Sequence, residues 1–103
     1  MIRYAFHPEA RVDLDEIWEC IRADDLGAAD RVIGEILSAI SGAAPFPNQG
    51  HKRPDLTQRP LRFLLVREYL IAYTPDEEPL WVVAVLHGRR SPRLMASILR
   101  GRQ

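Results

Sequence analysis

The stretch from Leu61 to His87 constrains the fold more than any other part of the chain. It holds three short segments rich in Leu, Val, Ile and aromatic residues: Leu61–Val66, Tyr69–Thr74 and Leu80–Leu86. Two residues separate the first pair of segments, and the run PDEEP separates the second pair. Such segments, bounded by turn-forming residues, are typical of consecutive antiparallel strands. The stretch therefore predicts a three-stranded meander whose last strand, apolar almost throughout, lies in the interior of the sheet.

The residues before the meander predict one strand and two helices. Met1–Phe6 alternates between apolar and other side chains, as a half-buried strand does. Apolar residues at helical spacing then predict one helix from Pro8 to Ala23 and another from about Ala29 to Ile40. Either Asp24 or Asp25 can cap the second helix. Two amphipathic helices joined by a short break form an antiparallel hairpin, which must bury its apolar stripes on one face of the sheet.

The whole pattern predicts a single α+β domain over residues 1–103. The expected order is an N-terminal strand, the antiparallel two-helix hairpin, the antiparallel meander and a short C-terminal helix that begins at Ser91 or Pro92. We expect two layers, with the sheet packed on the helices, and the first strand can join either edge of the meander. Residues 44–60 contain four prolines and predict a long loop that Leu56 anchors to the core.

The charge of the chain is unevenly distributed, although the formal net charge is zero. Residues 1–50 contain four basic and nine acidic residues, whereas residues 51–103 contain ten basic and five acidic ones. From His87 onward there are five arginines and no acid. A basic end of this kind predicts an acidic partner, either nucleic acid or an acidic protein segment; a solvated tail is the alternative.

Several classes of protein are excluded or disfavoured by what the sequence lacks. No apolar run approaches the ~20 residues that cross a bilayer, and the first residues do not form a signal peptide, so we expect a cytoplasmic protein without a membrane partner. Cys20 is the only cysteine, which leaves no intramolecular disulfide and no cysteine metal cluster. Metal-ligand spacings, phosphate-binding loops and a Ser-His-Asp order are also missing, so no metal and no cofactor is expected.

Basic residues and two histidines are the remaining chemical groups. If the meander brings them onto one surface, they form a cationic patch that can supply the base, the acid and the phosphate-binding cations of metal-free RNA cleavage. If they stay scattered, they can only bind an acidic partner. The residues are His51, Lys52, Arg53, Arg59, Arg62, Arg67, His87, Arg89 and Arg90.

Three short motifs resemble a known family. GHKRPDL at residues 50–56, YLIAY at residues 69–73 and VLHGRR at residues 85–90 occur in the order and spacing of the ParE branch of the RelE/ParE toxin superfamily. The resemblance extends to about Pro92. It implies the same α+β fold and the toxin of a type II toxin-antitoxin pair, neutralised by a small ParD-like antitoxin whose C-terminal segment wraps the toxin. ParE-like members are associated with poisoning DNA gyrase, and RelE-like members cut mRNA in the ribosomal A site.

The end of the chain helps to separate these two activities. Nucleases of the superfamily often have a Tyr or His near the C-terminus, and no such residue follows His87 here. This departure favours a non-enzymatic inhibitor that binds gyrase through Arg89, Arg90 and Arg93. The alternative is a metal-independent, ribosome-dependent endoribonuclease that uses His51, Lys52, Arg59, Arg62 or His87. A third hypothesis is an inactive module that only binds the antitoxin.

The antitoxin is expected to bind an apolar surface or an open strand edge. An amphipathic helix can fill a surface between the helical hairpin, the sheet and the C-terminal helix, and an open edge can accept an added strand. In the alternative interpretation, these side chains simply complete the core of the chain itself. No sequence-specific DNA binding by this chain alone is expected. The predicted antitoxin contacts are Trp18, Leu94, Met95, Ile98 and Leu99.

Overall fold

A four-stranded sheet lies between two sets of covering elements. The structure, a computed structural model, describes residues 3–102. Residues Met1, Ile2 and Gln103, which include the start of the predicted first strand, lie outside the described residues. The elements are β1 (Tyr4–Phe6), α1 (Pro8–Arg22), α2 (Leu26–Ala43), β2 (Arg62–Val66), β3 (Tyr69–Thr74), β4 (Leu80–His87) and α3 (Pro92–Arg100), with one 3₁₀ turn at Pro47–Gln49.

Each helix begins at a side chain that caps it. His7 Nδ1 accepts from the backbone N–H of Glu9 at 3.0 Å, and proline fills the first helical position of α1. Of the two candidate aspartates, Asp25 caps α2, because its carboxylate accepts from the N–H of Ala28 at 3.0 Å. The predicted break around Gly27 is therefore too long: α2 starts at Leu26 and includes this glycine in its first turn.

The sheet has the order β1-β4-β3-β2. The meander is confirmed, since β2 pairs with β3 and β3 with β4, both antiparallel. The strand β1, however, lies parallel to β4, with Tyr4 opposite Leu80 and Phe6 opposite Val82. The sheet is therefore mixed and not fully antiparallel, and the strands do not follow chain order, which corrects the predicted description. The long apolar strand β4 is interior, as predicted, because β1 takes the edge that β3 leaves open.

Both faces of the sheet are covered, so the predicted two-layer arrangement is incomplete. On one face, α1 and α2 bury residues such as Ile36, Ile40 and Tyr73. On the other face, α3 and the loop before β2 bury a second core. Its members are Leu56, Leu61, Phe63, Leu70, Ala72, Val83, Ala84, Leu86, Met95 and Leu99. The predicted loop anchor Leu56 is confirmed, since it is 3% exposed. The apolar stripe of α3 has its burial partner within this chain, which is why so short a helix can form.

Arg102 binds at a bulge in β4. Ala72 pairs with Ala84 and Tyr73 with Val82, so Val83 is an extra residue that interrupts the ladder. The Arg102 guanidinium donates to the carbonyl oxygen of Val83 at 3.1 Å and to both carboxylate oxygens of Asp13 at 2.5 and 2.9 Å.

Asp13 also contacts the backbone of β4 directly. The same Asp13 carboxylate accepts from the backbone N–H of Val85 at 2.9 Å. These contacts satisfy backbone groups of β4 beyond the end of the short strand β1. Arg102, which follows α3, thereby connects α1, β4 and α3.

No helix in residues 3–102 is both long and apolar enough to cross a membrane.

Candidate functional site

The candidate site is the segment of residues 88–93, which links β4 to α3 and is called the arginine segment below. The turn between β2 and β3 fixes its start. The N–H of Gly88 donates to the carbonyl oxygen of Glu68 at 2.6 Å. A Cβ atom at Gly88 would lie only 2.9 Å from that oxygen, so the close approach requires glycine.

Glu68 also contacts two side chains at the end of β4. Its Oε2 lies 3.3 Å from His87 Nε2 and 3.5 Å from Arg89 Nε. The backbone N–H of Arg89 donates to His87 Nδ1 at 3.3 Å, and the His87 ring meets the ring of Tyr69 edge to face at 5.4 Å. A neutral imidazole that satisfies both contacts carries its proton on Nε2. His87 therefore helps to shape the arginine segment.

The β2–β3 turn is itself anchored to α2. Arg67 has a φ of 55°, in the left-handed region that is uncommon for residues other than glycine. Its guanidinium donates to both carboxylate oxygens of Glu35 at 2.8 Å, a bidentate pair. This hydrogen bonding holds the pKa of Glu35 below its ordinary value. The pair between Arg67 and Glu35 thus attaches the β2–β3 turn to α2, and Glu68 of the same turn holds the start of the arginine segment.

The three predicted gyrase-binding arginines differ in their surroundings. The Arg89 side chain is 82% exposed, although it approaches Glu68. Arg90 borders a cavity of about 170 Å³ that Asp13 and Glu16 of α1 also line. Arg93 is exposed on the first turn of α3. All three are accessible at one end of the sheet, as a surface for binding a partner requires.

The residues predicted for RNA cleavage are tied to the loop before β2. Arg59 donates to the carbonyl oxygens of Leu99 at 3.0 Å and of Arg102 at 2.6 Å. Arg62 donates to the carbonyl oxygens of Asn48 at 3.2 Å and of Gly50 at 2.9 Å. Both guanidiniums are therefore engaged in holding the chain together.

The remaining members of that set lie at different places. His51 forms a backbone bridge with Phe63 beside β2, and both His51 and Lys52 are exposed. His87 lies at the end of β4, against the β2–β3 turn. Within residues 3–102, no group of three or more His, Cys, Asp or Glu side chains is arranged to hold a metal ion.

The predicted antitoxin contacts fall on opposite faces of the sheet. Trp18 is half-buried beside a depression of about 350 Å³ between α1 and α2, lined also by Leu14, Ile33 and Leu37. Its indole N–H donates to Asp30 at 3.0 Å.

On the other face, α3 uses part of its apolar stripe internally. Met95 and Leu99 are 2% and 1% exposed in the core of this chain, as the alternative interpretation had it, whereas Leu94 is 48% exposed. Ile98 packs at the margin of the same core. Leu94 is therefore the most accessible apolar side chain of the four on this helix.

Sequence reasoning missed Glu68 as a residue that shapes the site. Its role depends on the pairing of β3 with β4, which places Tyr69 opposite His87. This register brings Glu68, just before β3, next to Gly88, just after β4. A meander predicts that such neighbours exist, but it does not identify the pair of residues without the register.

Comparisons with known proteins agree with the observed fold. The family model for the ParE toxin of type II toxin-antitoxin systems, parDE, matches residues 4–92. Among curated proteins, no match is found. Among solved structures, the chain is similar to one described as the chromosomal ParDE TA system from P. aeruginosa, with a TM-score of 0.68 and 18% sequence identity. The match covers 84% of this chain and 96% of the other, and at this identity it concerns the fold alone.

Proposed function

We propose that this chain, which belongs to the ParE toxin family of type II toxin-antitoxin systems, arrests growth by binding DNA gyrase through the arginine segment. The observation that carries the proposal is that the backbone of this segment is held in place while its arginine side chains are exposed. Gly88 and Glu68 hold its start, while the Arg89 side chain stays 82% exposed. A backbone that is already held in place loses little further entropy when it binds an acidic surface. The proposal places the chain in the cytoplasm, where gyrase acts.

Binding without catalysis is supported by the state of the alternative catalytic residues. Arg59 and Arg62 donate to backbone carbonyl oxygens of this chain, so their use on a phosphate would break contacts that hold the loop. Both faces of the sheet are largely occupied by apolar cores. We therefore favour an inhibitor over an endoribonuclease.

A charge-reversal experiment tests the proposal. The double variant Arg89→Glu, Arg90→Glu should lose inhibition of gyrase supercoiling while its thermal unfolding stays unchanged, since both side chains are exposed. Arg31→Glu, the same change at an exposed position of α2, is the matched control and should keep full inhibition. A folded double variant that still inhibits gyrase would refute the role of the segment.

A parallel assay distinguishes the other two hypotheses. The unmodified chain is added to translating ribosomes with a defined mRNA. Cuts at codon positions, with gyrase unaffected, would establish the endoribonuclease and direct attention to His51 and His87. No effect on either gyrase or message would support a module that only binds its antitoxin.

Neutralisation by a cognate ParD-like antitoxin is the second part of the proposal. The depression beside Trp18 is the apolar surface best suited to an amphipathic antitoxin helix, because indole and three aliphatic side chains line it. Leu94 and the partly buried Ile98 offer a separate contact on the other face of the sheet. A single antitoxin segment that contacts both this surface and the depression beside Trp18 must therefore pass around the sheet. Met95 and Leu99 can contribute only if α3 moves away from the core.

Two alanine variants test this arrangement. Trp18→Ala should weaken capture of the chain by its antitoxin at least tenfold, the loss typical of a central aromatic contact. Leu94→Ala, on the opposite face, reports the second contact separately. If both variants bind the antitoxin as tightly as the unmodified chain, the antitoxin uses another surface.

A further inference from the structure

The two sides of the molecule carry opposite charge. The helical hairpin, residues 8–43, contains nine acidic and three basic residues. The loop and α3 on the other side of the sheet, residues 51–60 and 92–100, contain five basic residues and the single acid Asp55. Because the sheet separates these elements from the hairpin, the molecule has an acidic side and a basic side.

The loop and α3 form one continuous surface. Leu56 of the loop packs in the same core as Met95 and Leu99 of α3. A depression lies between the two elements, lined by residues 54–59 together with Ala96 and Arg100. A second depression shares Pro54, Thr57, Gln58 and Arg59 with the first and extends to Lys52 and Arg53. We call this continuous surface, with Arg93 at its far end, the basic face.

The basic face keeps unneutralised charge after its internal contacts are counted. Arg53 pairs with Asp55 at 2.8 and 2.9 Å, and Arg102 pairs with Asp13. Lys52, Arg93 and Arg100 are exposed and take part in none of the ion pairs formed by residues 3–102. Arg59 is held by carbonyl oxygens, which do not neutralise its charge. A surplus of this size attracts a polyanion.

The spacing of the cations fits a phosphodiester backbone. Arg93, Ser97 and Arg100 follow the i, i+4, i+7 spacing and lie on the exposed side of α3. With a rise of ~1.5 Å per residue, Arg93 and Arg100 are about 10 Å apart along the helix, which is about three phosphates of one DNA strand measured along the duplex axis. Guanidinium groups match pairs of phosphate oxygens, and the hydroxyl of Thr57 and the amide of Gln58 line the depressions between the cations.

We propose that the basic face binds the backbone of duplex DNA without reading its sequence. The inference extends the proposed function, because gyrase acts on DNA: the toxin would contact the DNA next to the enzyme as well as the enzyme itself. The groups involved contact phosphates only, so the interaction agrees with the expectation that this chain alone recognises no specific sequence. It is also separate from the arginine segment's predicted contact with gyrase, apart from Arg93, which belongs to both.

Fluorescence anisotropy with a labelled DNA duplex tests the proposal on the full chain without gyrase. The logarithm of the binding constant should fall linearly with the logarithm of the NaCl concentration, with a slope of about −0.9 for each phosphate contact. The double variant Arg93→Ala, Arg100→Ala should reduce the steepness of that slope by about two. The matched control, Arg22→Ala with Arg31→Ala on the acidic hairpin, should leave the slope unchanged, because these two arginines lie outside the basic face.

Any one of four results would overturn the proposal. Three of them are absence of duplex binding at 50 mM salt, equal loss of binding in the control pair, and binding of poly-glutamate as tight as that of the duplex at the same salt, which would indicate an acidic protein partner. Tighter binding of single-stranded RNA than of duplex DNA would also overturn it. Thermal unfolding of each variant ensures that a loss of binding is not a loss of fold.

A supercoiling assay keeps this inference distinct from the proposed function. A chain that binds DNA but leaves gyrase active would support the basic face and refute gyrase inhibition. A chain that inhibits gyrase but does not bind DNA would do the reverse. Because Arg100 lies outside the arginine segment, Arg100→Ala alone should weaken DNA binding while leaving a direct contact between gyrase and Arg89 in place.

Discussion

The attachment of Arg102 to Asp13 leads to a quantitative prediction for stability. In the variant Arg102→Met, the side chain keeps an unbranched apolar stem but loses its charge and its donors. The Arg102 side chain is 10% exposed and that of Asp13 is 14% exposed, so water replaces the lost contacts poorly. The carbonyl oxygen of Val83 loses its hydrogen bond to the guanidinium as well.

The magnitude follows from the cost of leaving a charge without its partner. Removing one member of a buried ion pair typically costs about 3–5 kcal/mol. Asp13 retains the backbone N–H of Val85 at 2.9 Å, which places the expected loss at the lower end, about 3 kcal/mol. For a domain of this size, each kcal/mol lowers the midpoint of thermal unfolding by about 4–8 °C, so the midpoint should fall by about 12–24 °C.

Urea unfolding followed by circular dichroism measures the free energy of unfolding and its denaturant dependence together. The matched control is Arg100→Met, the same chemical change two residues earlier at an exposed position, which should alter the free energy by no more than about 0.5 kcal/mol. A loss below about 1 kcal/mol in Arg102→Met would refute the view that this pair fastens the C-terminus. A double-mutant cycle with Asp13→Asn should show coupling between the two positions, and additive losses would contradict the direct contact.

Three further predictions concern the loop and the turn. Tyr73→Phe should lower the free energy of unfolding by about 1–3 kcal/mol, because the Tyr73 hydroxyl donates to Pro47 at 2.7 Å and accepts from Gly50 at 2.9 Å, whereas Tyr4→Phe on the half-buried β1 should change it little. Burial raises the pKa of Tyr73, so its contribution to stability should be complete below about pH 10 and be lost as the pH rises toward the folded pKa; an ordinary tyrosine titration of the folded chain by ultraviolet absorption would contradict this. Gly88→Ala should displace the arginine segment and reduce gyrase inhibition, since its Cβ would approach the Glu68 oxygen to 2.9 Å, and unchanged amide resonances for Arg89 would argue against that displacement.

The local elements followed from the sequence because their causes are local. Helical spacing of apolar residues located α1 and α2, and a capping side chain marks where each begins. Ser91, one of the two predicted starts of α3, accepts from the N–H of Leu94 at 3.2 Å. Such signals act within one or two helical turns, so a sequence contains them in readable form.

The candidate site was predictable only in part. Arg89, Arg90 and Arg93 are close in the sequence, so any fold that exposes one end of β4 presents them together. The residues predicted for RNA cleavage, by contrast, are spread along the loop and the strands. They could catalyse a reaction only if the fold brought them together, which the sequence does not reveal. The structure gives Arg59 and Arg62 backbone carbonyls as partners, which no pattern of residue types indicated.

Pattern and composition alone were enough to predict the strand and helix segments, the meander, the loop anchor Leu56 and the uneven charge of the two halves of the chain. Tertiary structure decided that β1 runs parallel to β4, that α3 covers the second face of the sheet, and that Arg102 meets Asp13 across 89 residues. The physical reason is that periodicity and capping depend on neighbours in the chain, whereas strand direction and long-range ion pairs depend on which buried surfaces and unpaired backbone groups remain when the elements pack.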